Sequence, residues 1–110
     1  MTGEDPAQAA VKKLRHAQDR LNACTYIFEA PERHGGGPLA GLTIALKDII
    51  DQKGVVTTCG SGFYREVAKE SAPVVDRIEG AGGSVVARTG LHEFAYGFSS
   101  ENDWFGPVRN

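Results

Sequence analysis

Apolar positions along the chain recur first with a helical period. Between Val11 and Leu21 they return every three or four residues, while lysines, arginines and an aspartate occupy the other side. Asp5 and Pro6 form a typical helix start, since Asp can accept hydrogen bonds from free amides and Pro is tolerated in the first turn. The pattern predicts an N-terminal helix within residues 1–22.

The segments that follow alternate between strand and helix patterns. Cys24–Glu29 is rich in β-forming residues, Leu42–Lys47 alternates apolar with small or polar residues, and Ser84–Arg88 is short and apolar. A second helix beginning at Pro73 separates the last two strands. A strand, a helix and a strand in this order predict a right-handed crossover and a parallel pair. The expected fold class is therefore α/β.

Lys47 is the most informative position in the predicted second strand. It shares a face with Thr43 and Ala45, whereas the apolar residues of the strand lie on the other face. A long cation beyond two small residues can be buried, and burial can lower a lysine pKa by up to about 3–5 units, towards that of a useful base. The spacing by itself leaves two interpretations open, a buried general base and a surface lysine at a strand end.

Composition narrows the functional classes. With 110 residues, 41% hydrophobic residues and a net charge of −2, the chain is typical of one small globular domain. No basic stripe favours direct nucleic-acid binding, and no apolar run is long enough to span a membrane. The acidic start does not resemble a signal peptide. Cys24 and Cys59 lack CxxC spacing, so reduced thiols and a cytoplasmic location are expected.

Short motifs for metals and cofactors are incomplete. His92-Glu93 lacks the second histidine of a zinc-binding helix. The glycines at 80–83 end a helix instead of opening one, which argues against dinucleotide binding. Cys59 has no obvious histidine partner and is interpreted as a small packed residue. We expect neither a metal site nor a cofactor.

Longer motifs carry a more specific signal. They are Gly37–Asp48, Gly54–Ser61, Thr89–Gly97 and Phe105–Asn110, together with Ser99 and Asn102. In residues, order and spacing they resemble the amidase signature family, over roughly the whole chain from Leu21 onward. The resemblance implies that residues 1–110 are the N-terminal segment of an amidase domain, an incomplete mixed sheet with flanking helices.

The resemblance also implies a reaction, the hydrolysis of a carboxamide C–N bond through a Ser–Ser–Lys triad. Lys47 matches the catalytic lysine. Both serines of the family lie in a Gly-Ser-rich loop that follows the Phe-Gly-Pro-x-Arg-Asn segment, and the sequence ends at Asn110, before such a loop. Ser61, Ser99 and Ser100 do not match it. The chain is therefore expected to hold only the lysine of the triad and to be inactive by itself.

Ala95, Tyr96 and Gly97 match the stretch that lines the substrate channel in the family. A small-aromatic-small series can form the wall of an apolar cleft. A turn packed by Phe94 and Tyr96 is an equally simple interpretation of the same residues.

The identity of the parent protein stays open between several alternatives. A simple amidase, a urea-derivative hydrolase and the glutaminase subunit of a tRNA-dependent amidotransferase share these motifs. A non-catalytic truncated fragment or assembly piece is the alternative outside the enzymes. The expected partner of the full-length protein is a small-molecule amide, and the unpaired strands predicted here would favour a homo-oligomer.

Overall fold

The computed structural model describes residues 5–32, 34–97 and 100–109, so Ser99 and Asn110 of the family motifs lie outside the described residues. The described chain is a mixed α/β structure. Its elements are helix α1 (Pro6–Leu21), strands β1 (Cys24–Ile27), β2 (Thr43–Lys47), β3 (Val56–Thr57) and β4 (Glu66–Val67), helix α2 (Pro73–Gly80), strand β5 (Ser84–Thr89) and a 3-10 turn at Glu93–Ala95.

Helix α1 forms where the apolar periodicity predicted it. Pro6 occupies the first helical position, but Asp5 makes no side-chain capping hydrogen bond, so that part of the expectation is wrong. The helix ends at Asn22, which adopts a left-handed conformation with φ of 49°. Gln18 then joins the helix to β1, because its side-chain amide both donates to Cys24 O (2.7 Å) and accepts from Cys24 N (3.1 Å).

Strand β5 is the centre of a three-stranded sheet with the order β1-β5-β2. It pairs with β1 in antiparallel and with β2 in parallel orientation, which confirms the predicted parallel pair around α2. Residues 84–88 of β5 are all buried. A separate antiparallel pair, β3 and β4, was foreseen only as an extended segment at 55–59.

Two apolar clusters fix the helices on the sheet. The first joins α1 to β1 and β5, and the second joins α2 to β2 and β5. Burial of these side chains supplies the main favourable free energy of folding. The buried members are Ala7, Val11, Cys24, Val86 and Ala87 in the first cluster and Leu46, Val75 and Val85 in the second.

Strand β2 departs from the sequence-based expectation on one face. Leu46 is buried and Ile44 half-buried, as predicted, but Leu42 is 53% exposed and precedes the strand. Lys47 is also exposed, so the expected burial of this side chain is wrong for the described chain. Strand β2 lies at the edge of the sheet, and α1 packs chiefly against β1 and β5. The face that carries Lys47 is therefore left open.

The charged residue that is buried at this point is Asp48, the neighbour of Lys47. Asp48 and Arg88 are each 1% exposed, and Arg88 Nη2 lies 3.2 Å from Asp48 Oδ1. Thr25 Oγ1 donates to Asp48 Oδ2 at 2.8 Å, and the hydroxyl of Thr58 donates to the same oxygen. One carboxylate thereby connects β1, β2, β5 and the segment after β3.

A buried ion pair of this kind is costly to break from one side. Removing one partner leaves an uncompensated buried charge, whereas the intact pair compensates much of the desolvation of both groups. Arg88 depends on the pair further, because its Nη1 is buried without a hydrogen-bond partner among the described residues. The network therefore selects one arrangement of the strands that it joins.

We predict that Asp48→Asn lowers the free energy of unfolding of the 110-residue chain by about 3–5 kcal/mol, the usual effect of removing one member of a buried ion pair. The asparagine keeps the shape but leaves the Arg88 guanidinium unpaired. Urea titration followed by circular dichroism measures the change.

Two further variants complete this test. Asp19→Asn, at an exposed position of α1, should change the stability by no more than about 0.5 kcal/mol. In the double variant Asp48→Asn/Arg88→Met the loss should be smaller than the sum of the two single losses. Strict additivity of two small effects would show that the pair does not hold the sheet together.

We also predict that the isolated chain self-associates. Strand β2 is an edge strand with an open face, and apolar side chains such as Phe63 (74% exposed) and Trp104 (56% exposed) lie on the surface. Sedimentation at several concentrations should show mass increasing with concentration, and Thr43→Lys, which adds a charge to the edge strand, should reduce it. A strict monomer that melts cooperatively above about 60 °C would contradict this prediction.

Candidate active site

Lys47 is the last residue of β2, at the carboxyl end of a parallel strand pair. The backbone around it is fixed, since Asp48 N donates to Thr89 O and Ile50 N donates to Lys47 O, both at 3.0 Å. The side chain is exposed, and the described part of the chain gives its ammonium group no ion pair. Lys47 is thus a positioned and accessible amine.

The segment 57–61 lies directly beside this strand end. Cys59 N donates to Asp48 O at 2.8 Å, and Thr58 N donates to Asp48 Oδ1 at 3.2 Å. Cys59 and Gly60 follow one another with positive φ values of 54° and 74°, which turn the chain sharply. Asp48 therefore brings the motif that ends at Ser61 against the motif that contains Lys47.

Asn102 fastens the remaining motifs to this turn. Its side-chain nitrogen donates to Gly60 O (2.7 Å) and Leu91 O (2.8 Å), and its oxygen accepts from the amides of Trp104 (2.8 Å) and Phe105 (3.0 Å). A single buried amide thereby uses both of its ends to join three loops. The sequence indicated that Asn102 belongs to a motif, but its partners lie 11 and 42 residues away and could not be read from spacing.

The serines near the site serve structural roles or lie outside it. Ser61 is completely buried, and its Oγ accepts hydrogen bonds from Phe63 N (3.2 Å) and Tyr64 N (3.3 Å). Ser100 has a positive φ of 56° in the loop that leads to Asn102. Ser61 cannot approach a substrate without breaking this turn. The described residues thus bring no accessible serine to Lys47 that the structure identifies as a nucleophile.

Cys59 is close to Lys47 along the fold but is poorly suited to nucleophilic attack. Burial raises the pKa of the Cys59 thiol, and the carboxylates of Asp48 and Asp51 raise it further against the lowering effect of Arg88. The thiolate form is therefore disfavoured at neutral pH. Cys24 and Cys59 are both free and buried in the structure.

Of the three predicted substrate-binding residues, Tyr96 stands out. It follows the 3-10 turn, is 95% exposed, and lines an open cleft of about 620 Å³ with aromatic neighbours Phe63 and Phe94. Among the described residues that line this cleft, Ala95, Gly97 and Lys47 are absent. The structure therefore does not join the predicted channel stretch to the lysine in one cavity.

A third group of reactive side chains had no sequence signal. Glu32 and His34, from the loop between β1 and β2, meet Glu79 near the end of α2. Their candidate ligand atoms lie within 4.8 Å of one another. Only the pairing of Glu32 with His34 two residues apart could have attracted attention, and the third member is far away in the sequence.

Within the described residues, no helix is both long and apolar enough to cross a membrane.

Comparisons with known proteins agree with the motifs. The family model Amidase matches residues 7–110. Two curated relatives are glutamyl-tRNA(Gln) amidotransferase subunits of the same type. The one from Methanospirillum hungatei is 39% identical over 91% of this chain and 23% of its own length. The one from Koribacter versatilis is 49% identical over 66% of this chain and 15% of its own length.

A solved structure extends the likeness to three dimensions. The corresponding glutamyl-tRNA(Gln) amidotransferase subunit of Thermotoga maritima matches with a TM-score of 0.87 and 31% identity, over 97% of this chain and 24% of that one. The chain therefore spans less than a quarter of the length of these relatives. The fold, the order of the motifs and the family match over residues 7–110 establish that the chain belongs to the amidase signature family.

Proposed function

We propose that this chain supplies the lysine base of an amidase-type hydrolase that cleaves carboxamide C–N bonds through a Ser–Ser–Lys triad. The observation that carries the proposal is the position of Lys47, exposed at a strand end and directly before Asp48. The buried contacts of Asp48 fix the backbone, so the neighbouring amine is held in place while it stays accessible. A base needs both properties.

In the proposed reaction the neutral amine of Lys47 accepts a proton from a bridging serine, which in turn accepts the proton of the nucleophilic serine. The nucleophile attacks the amide carbonyl, ammonia leaves with a returned proton, and water hydrolyses the acyl-enzyme to the carboxylate. Both serines belong to the part of the hydrolase that follows the motifs of this chain. The chain contributes the base and its support.

The exposure of Lys47 has a direct bearing on this chemistry. A solvated lysine has a pKa near 10.4 and is almost fully charged at neutral pH, so it is a poor base. In the complete hydrolase we propose that further segments cover the open face of β2. Burial would then favour the neutral amine, as desolvation does for other buried lysines. The whole protein, and not this chain, would thus complete the base.

The cleft beside Tyr96 is the proposed contribution of this chain to substrate binding, with Ala95 and Gly97 as small neighbours that leave room for a ligand. Its wall combines Tyr96 with the rings of Phe63 and Phe94, whose centroids lie 6.3 Å apart. Such a wall suits the apolar part of an organic amide.

A second candidate function is favoured by the relatives. The curated proteins similar to this chain are amidotransferase subunits, so the parent of this chain could equally release ammonia from glutamine for a partner subunit. The two candidates use the same base and differ in substrate. Steady-state assays of the full-length protein on glutamine and on simple aliphatic and aromatic amides would separate them.

We predict that Lys47→Ala in the full-length hydrolase lowers kcat by at least about 10²–10⁴-fold, because general bases contribute this much and members of a triad act as a unit. Ammonia release under saturating substrate measures the change. Lys53→Ala, at an exposed loop position in the same region, is the matched control and should leave kcat unchanged. A Lys47→Ala enzyme within about threefold of wild type would show that the lysine is structural.

For the 110-residue chain alone, we predict no amide hydrolysis above the buffer rate. The described residues provide a base but no accessible serine beside it, and a base without a nucleophile gives little acceleration. Ammonia release from glutamine and from simple amides tests this outcome. Turnover by the purified chain that disappears in its Lys47→Ala variant would refute it.

A further inference from the structure

Glu32, His34 and Glu79 converge at a point away from Lys47, between the loop that follows β1 and the last turn of α2. His34 Nε2 lies 3.1 Å from Glu79 Oε2 and 3.6 Å from Glu32 Oε2. The cluster therefore places one imidazole nitrogen against two carboxylate oxygens. It takes no part in the proposed amide hydrolysis.

The environment of His34 Nε2 is unusual for a structural histidine. This atom is shielded from solvent and has no hydrogen-bond partner among the described residues. Although Glu79 Oε2 is 3.1 Å away, the two groups are not aligned for a hydrogen bond. Buried polar atoms are nearly always satisfied, so an unpaired one calls for a missing partner. Ligands of a metal ion aim their lone pairs at a common point and not at one another.

The distances fit a small divalent cation. Nitrogen and oxygen ligands lie about 2.0–2.2 Å from zinc, which makes the edge of the ligand tetrahedron about 3.3 Å. The two edges from His34, at 3.1 Å and 3.6 Å, are close to this length. The third edge, between the two glutamates, is at most 4.8 Å. The Glu32 side chain is 84% exposed, so it can rotate to shorten this edge.

The space beside the cluster provides a second, independent indication. A cavity of about 360 Å³ is lined by the acidic residues Glu32, Asp76 and Glu79 and by Gln52. Gln52 Oε1 is buried and has no hydrogen-bond partner among the described residues. A cation with bound water would offer donors to this oxygen and would reduce the repulsion among the acidic groups. The cavity thus leaves room for a solvent ligand at the fourth position.

We propose that Glu32, His34 and Glu79 bind one divalent transition-metal ion of the zinc type, with water as the fourth ligand. One imidazole with two carboxylates suits zinc, whereas magnesium and calcium prefer oxygen ligands alone. The ion would fasten the loop between β1 and β2 to the end of α2. The same loop already meets the end of α2 through Leu39 N, which donates to Ala81 O at 2.8 Å.

Isothermal titration of the 110-residue chain with Zn²⁺ tests the proposal. We expect one saturable site per chain, and no comparable binding of Mg²⁺ under the same conditions. His34→Ala and Glu79→Gln should each weaken Zn²⁺ binding by at least about tenfold, the scale of losses at zinc-site residues. Circular dichroism of each variant checks that it is folded.

Three control variants make the result specific. His16→Ala removes an exposed histidine of α1, and Cys24→Ser removes a thiol of the core; both should bind Zn²⁺ as the wild type does. Glu32→Gln alters an exposed side chain and should weaken binding without affecting the fold, which keeps the test valid even if His34→Ala is unstable. The visible absorption of bound Co²⁺ provides a second readout and should be lost in the ligand variants.

Two results would overturn the proposal. One is a wild-type chain without saturable Zn²⁺ binding. The other is binding that survives both Glu32→Gln and Glu79→Gln within about threefold, since the ion would then be held elsewhere.

Discussion

The buried contact between Asp48 and Arg88 is the interaction on which the rest of the structure depends. It joins the end of β2 to the central strand β5, and through Thr25 and Thr58 it reaches β1 and the turn beside Lys47. Charges are seldom placed in a core because desolvation is costly. Here the cost is offset by a partner of opposite charge and by hydroxyl donors, and the result is a fixed geometry where the family motifs meet.

That geometry explains the division between support and chemistry in this chain. Asp48 is buried and Lys47, its neighbour, is exposed, because successive residues at the end of a strand point to opposite sides. The first residue stabilises the arrangement, and the second is available for a proton transfer. Asn102 has a similar supporting role, since its amide holds the turn at Gly60 and the loops at Leu91 and Phe105. The proposed base thus lies on a rigid scaffold.

The cluster at Glu32, His34 and Glu79 belongs to a different part of the molecule and has a different logic. Its members come from a loop and a helix end that are far apart in the sequence, and its distinguishing feature is a buried nitrogen without a partner among the described residues. The lysine site is recognised by motifs, whereas this cluster is recognised only by distances. The two sites therefore rest on independent observations and can be tested separately.

The sequence by itself determined the local elements, because their signals are local. The period of α1, the apolar run of β5 and the proline at the start of α2 predicted those elements and the parallel pair. The family motifs likewise pointed to Lys47 from the sequence alone. Tertiary structure alone decided which charge is buried. Lys47 and Asp48 are adjacent, and only the distant Arg88 and the open edge of β2 distinguish them. Burial depends on long-range packing, and single-sequence periodicity does not contain it.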